Sequence, residues 1–118
     1  MKTLVASLLV TSSLFVTPAF AQTQAQMNQQ AANDAKRADA ALNAVYAAVT
    51  KKLDAQSRAL VLGAQRAWLG YRDGNCKYES SLYAGGSMYP LIYSGCITRM
   101  TRALTAELNG QLKDLNQR

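Results

Sequence analysis

Histidine is missing from this sequence altogether. The side chain most often used as a general base near neutral pH, and the commonest metal ligand, therefore takes no part. Serine, lysine and seven acidic residues remain for hydrolytic chemistry. They form no Gly-x-Ser-x-Gly, no Ser-x-x-Lys and no glycine-rich phosphate loop. Lone acids such as Asp73 and Glu79 read as surface residues. The chain is thus read as a non-enzyme, with no catalytic residue, cofactor or metal assigned.

Long apolar runs are lacking as well. The most apolar stretch, residues 3–16, follows Lys2 and is about 14 residues long, short of the roughly 20 that span a bilayer. Pro18 and the small-x-small box Ala19-Phe20-Ala21 come next. Residues 1–21 therefore read as a cleaved secretory signal. Gln22 at the cleavage point leaves no lipid-anchor cysteine, so no membrane anchor is expected after cleavage. Residues 22–118 form one small domain, periplasmic or secreted. Cysteine is scarce: Cys76 and Cys96 are the only two, with no Cys-x-x-Cys. In an oxidising compartment a disulfide is favoured over a metal or redox role. Acidic charge is in deficit, with 13 basic against 7 acidic side chains and a net charge of +6. That balance suits an anionic polymer or an acidic partner, or simply solubility. Export makes nucleic acid an unsuitable partner, and the basic residues do not cluster.

Between residues 24 and 53 there is neither glycine nor proline. Ala38, Leu42, Val45, Tyr46, Val49 and Leu53 recur there every three or four positions, one apolar face of a helix. Asp54 or Ser57 caps a second helix over residues 55–80, whose main face is read as Leu60, Ala64, Ala67, Trp68, Tyr71 and Tyr78. Gly63, Gly70 and Gly74 line one side, where a neighbouring helix would approach closely. Gly85-Gly86 breaks the helix. Ser87 is read as the next N-cap, with Pro90 in the first turn. The third helix, residues 88–116, carries Ile97, Met100, Leu104, Leu108, Leu112 and Leu115 at the same spacing, and Gly95 marks a candidate break. No strand pattern occurs. The expected fold is all-α: a small antiparallel three-helix bundle with one disulfide, Cys76–Cys96, between the second and third helices. Trp68 is assigned to the core. Arg72 is given two candidate partners, Asp39 and Glu79, while Asp73 is read as solvated.

Five of the six tyrosines fall between residues 71 and 93, and Tyr83 and Tyr89 bracket Gly85-Gly86-Ser87. Tyrosine beside glycine and serine offers amphipathic contact area next to adaptable backbone, as recognition loops do. The alternative is that these rings only wrap a small core. Gln65-x-x-Trp68-Leu69-x-Tyr71-Arg72-Asp73-x-x-Cys76, Gly85-Gly86-Ser87, Ile92-Tyr93-x-x-Cys96 and Met100-Thr101, preceded by Ala38-Asp39-x-x-Leu42-Asn43-x-x-Tyr46, together resemble the LprI-type lysozyme inhibitor domain over residues 26–108. The resemblance implies a helical, disulfide-bonded envelope domain and inhibition of lysozyme. Its motif residues are Asp39, Asn43, Gln65, Trp68, Tyr71, Arg72 and Asp73. Two departures stand out: the family's further cysteine pair near the first helix is absent, and Leu104 stands where the family tends to place an arginine.

Two functions follow as expectations. One is a binding protein that blocks lysozyme through Tyr83, Gly85, Gly86, Ser87 and Tyr89, with Lys77 nearby. The other is a non-inhibitory envelope module that binds another periplasmic protein or an anionic cell-wall polymer.

Overall fold

The computed structural model describes residues 19–118, with side chains from residue 23. The signal segment read in the sequence lies outside the described residues up to residue 18. The described backbone runs helical through residues 19–21.

Three helices follow in order: α1 (Ala19–Lys51), α2 (Ala55–Ser80) and α3 (Tyr89–Asn116), with a single 3₁₀ turn, Ser81–Tyr83, after α2. Asp54 caps α2, its carboxylate accepting the Ser57 amide at 2.7 Å. That cap supplies a partner for one of the amides a helix start leaves unpaired. Pro90 sits in the first turn of α3, where an amide hydrogen is not needed. Ser87 does not cap α3: Met88 holds that position, with no side-chain hydrogen bond. Nor does Gly95 interrupt α3, which is continuous.

The core lies mainly between α1 and α3. Leu42, Val45, Val49 and Leu108 are buried together, with Tyr46, Leu53, Leu104, Leu112 and Leu115 packed against them. These are the apolar faces expected of both helices. From α2 only Trp68 joins this cluster. The face expected of α2 is overturned: Tyr71, Tyr78 and Leu60 are exposed, and Ala64 and Ala67 with them. The buried side is instead Arg72, Cys76 and Ser80. Each step along a helix turns the side chain by about 100°, so drawing Cys76 inward sets Tyr78 and Tyr71 outward. Gly63, Gly70 and Gly74 have open space where a Cβ would stand; within one chain no helix approaches them.

Candidate functional site

The disulfide forms as expected. Cys76 and Cys96 are bonded, their Cα atoms 5.5 Å apart, and both are buried. Met100 places its sulfur 3.8 Å and 3.9 Å from the two cysteine sulfurs, and Ala35, Tyr93 and Ile97 close the cluster. This clamp joins α2 to α3 just before the chain turns over.

One turn earlier on α2, Arg72 draws the three helices together. Its Nη1 donates to Asp39 Oδ1 of α1 at 2.8 Å and to Thr101 Oγ1 of α3 at 3.1 Å, and its Nε donates to Asp73 Oδ1 at 2.9 Å. The guanidinium also lies 5.4 Å from the centre of the Trp68 ring, within cation–π range. Only 10% of the Arg72 side chain is exposed, so its charge is compensated inside the protein. Of the two partners offered by spacing, Asp39 is the one used. Glu79 pairs with Arg99 instead, at 2.6 Å. Asp73 is not merely solvated, since it shares Arg72. Hydrogen bonds from Arg99 and then Asn75 hold the Glu79 carboxyl below its usual pKa range.

Asp39, Trp68, Arg72 and Asp73 thus converge on one network around the buried guanidinium, which Thr101 completes, the two acids remaining half-exposed at its edge. Gln65 is half-buried beside Trp68, lining the gap between α2 and α3. Asn43 and Tyr71 face solvent and stand outside the network. The role of Thr101 had a signal available in helical spacing, because it lies four residues past Ile97 and seven before Leu108, on the apolar side of α3.

The turn between α2 and α3 is held by backbone bonds: Ala84 N–H to Ser81 O at 3.2 Å, Gly86 N–H to Tyr83 O at 3.0 Å, and Tyr89 N–H to Gly86 O at 3.3 Å. Gly85 sits at φ +78°, a conformation that costs glycine little. Ser80, fully buried, donates its hydroxyl to Cys76 O at 2.7 Å. From α1, Asn28 donates to Ser87 O at 2.9 Å. Tyr89 is half-buried and stacks on Tyr93 at 6.0 Å, while burial raises the Tyr93 pKa above its ordinary value. Lys77, Tyr83, Gly85, Gly86 and Ser87 are exposed on one end of the molecule. Between them project Tyr78, 77% exposed, Leu82, 92% exposed, and Met88. Sequence reasoning passed over Leu82, which follows the helix without belonging to any periodic face.

Among the described residues no group of three or more Cys, Asp or Glu side chains is placed to hold a metal ion, and no helix is long and apolar enough to cross a membrane. The family model described as "Lysozyme inhibitor LprI" matches residues 17–108. The chain belongs to the LprI family. A relative from Rhizobium meliloti (strain 1021), named "Uncharacterized protein R02472", is 39% identical over 101 residues, covering 75% of this chain and 73% of that protein. No solved structure matches. The Arg72 network and the disulfide therefore belong to an LprI domain. Of the residues quoted for the resemblance, Asp39, Trp68, Arg72, Asp73, Cys76, Cys96 and Thr101 hold the helices together, Gly85, Gly86 and Ser87 lie exposed at the turn, and Asn43 and Tyr71 are exposed on α1 and α2.

Proposed function

We propose that this LprI domain is an exported binding protein that inhibits a lysozyme, with the surface around residues 77–89 making the contact. The observation that carries this reading is Leu82: a leucine 92% exposed on an ordered turn. The turn is fixed by the disulfide six positions back, by the Ser80 hydroxyl and by Asn28. Exposed apolar groups on a rigid support suit insertion into a partner, because little ordering entropy is lost on binding. Tyr78, Tyr83 and Met88 widen the contact, and Lys77 adds a cation beside them. A lysozyme cleft works through a pair of carboxylates, to which such a cation is complementary. The family's name supports inhibition as the activity, and the leader read in residues 1–21 supports export.

The test is a cell-wall turbidity assay with the oxidised protein. Leu82→Asp should weaken inhibition about thirtyfold, the effect of losing a central contact worth about 2 kcal/mol, and Tyr83→Ala severalfold. Inhibition unchanged by both substitutions would remove this surface from consideration. If the unsubstituted protein leaves every lysozyme class active at micromolar levels, the inhibitor reading fails. Salt-sensitive binding to cell-wall polymer would then favour the envelope-module alternative.

A further inference from the structure

The disulfide clamp holds a third sulfur. Met100 Sδ lies 3.8 Å from Cys76 Sγ and 3.9 Å from Cys96 Sγ, so it faces both cysteines almost equally. Packing alone asks only that an apolar side chain fill the gap, and leucine would do that. The polar neighbours ask for more. Asn75 Nδ2 stands 3.4 Å from Met100 Sδ and 3.9 Å from Cys96 Sγ, and Arg99 Nη2 stands 3.6 Å from Cys96 Sγ. Sulfur is a weak acceptor in a disulfide or thiol and a much stronger one as a thiolate, because the bond is then charge-assisted.

We propose that the reduced form of this cluster is a three-sulfur site for a soft monovalent metal ion, copper(I), with Cys76, Cys96 and Met100 as ligands. Two thiolates and a thioether are the soft donors that select copper(I). The spacing fits as well. An ion about 2.3 Å from each of three sulfurs in one plane holds them about 4.0 Å apart. Both cysteine–methionine separations are already close to that value, so only the two cysteine sulfurs have to move apart. Zinc fits less well, since it takes four ligands. The sequence has no histidine, and the Glu79 carboxylate is occupied by Arg99 and Asn75.

The surroundings suit a three-coordinate ion. Cys76, Cys96 and Ile97 are buried, with Ala35 and Tyr93 packed against them, so water does not compete as a ligand. A cavity of about 230 Å³ in the gap between α2 and α3, lined by Trp68, Arg99, Met100 and Leu104, reaches the methionine and supplies an entry path. Two thiolates and one copper(I) leave a single negative charge, and the Arg99 guanidinium lies beside it. Reduction is a two-electron step: a dithiol gives two electrons and two protons to the Cys76–Cys96 bond and leaves as a disulfide. The metal then displaces both protons. A metal tie thus replaces the covalent tie between α2 and α3. None of this depends on the inhibitor reading.

The test uses the purified protein, reduced without oxygen by a phosphine, which leaves as its oxide and competes poorly for the metal. Copper(I) is then added as its acetonitrile complex, in competition with a chromogenic chelator. The reduced protein should bind one copper per chain, and the oxidised protein and Cys76→Ser with Cys96→Ser none. Copper K-edge absorption should show three sulfurs at about 2.3 Å. Met100→Leu, close to the original in volume, should bind about tenfold more weakly and show two sulfurs. If reduction lowers the helical circular dichroism signal, copper should restore it. A reduced protein that binds no copper overturns the proposal. So does copper bound without return of the helical signal, or a Met100→Leu variant with unchanged affinity and three sulfurs.

Discussion

Arg72 shows how a single side chain can organise three helices. Its fork reaches Asp39, Asp73 and Thr101 at once and still lies against Trp68. A lysine has the charge but not the planar set of donors, so it cannot reproduce those directions together. Arg72→Lys should therefore cost about 2 kcal/mol, roughly the worth of one charge-assisted hydrogen bond with some lost packing. The measurement is a urea transition, with the midpoint falling at unchanged slope. A midpoint within error of the original would mean that the acids are held by water as well as by the guanidinium.

The three helices are not equally secured. α1 and α3 share the main apolar cluster, whereas α2 contributes Trp68 to it and otherwise depends on the Arg72 network, on Cys76–Cys96 and on the exposed Glu79–Arg99 pair. Closing a loop with a separation of 20 residues is worth about 3 kcal/mol in the chain-entropy picture. Cys76→Ser with Cys96→Ser should lower stability by about that amount. The loss should also be uneven: amide exchange should quicken most along α2, since regions with few buried apolar contacts open first. Equal acceleration in all three helices would show that α2 is held by more than these contacts. The groove of about 470 Å³ between Val49, Leu60, Val61 and Leu115 fits the same picture of a loosely seated α2.

Without residues 1–21, and so without Lys2, 12 basic against 7 acidic side chains leave a net charge of +5, which acts on association more than on folding. Animal lysozymes are basic as well, so an inhibitor of this charge meets long-range repulsion before any contact forms. Salt screens that repulsion, with a Debye length of about 10 Å at 0.1 M. The association rate constant, followed by surface binding or stopped flow, should therefore rise severalfold between about 20 and 150 mM salt. A fall over the same range would mean that the contacting patch is met by an acidic surface.

Much of this architecture was legible from residue order alone. The faces of α1 and α3 follow from apolar spacing. The limits of α2 follow from Asp54 and from Gly85-Gly86, and the disulfide follows from two cysteines in a chain read as exported. What spacing could not supply was the rotation of α2 about its own axis. Its middle is apolar all round, so the hydrophobic pattern marks no preferred face, and Leu60, Tyr71 and Tyr78 were a reasonable but incorrect choice. That rotation is decided by groups distant in sequence: Cys96, which draws Cys76 inward, and Asp39 and Thr101, which hold Arg72 beneath the surface. The choice of Asp39 over Glu79, the engagement of Asp73 and the exposure of Leu82 all follow from it. Local pattern determined which residues form helices and which share a side. Only the meeting of three helices decided which side of α2 is inside, because that choice depends on contacts between residues 20 to 33 positions apart.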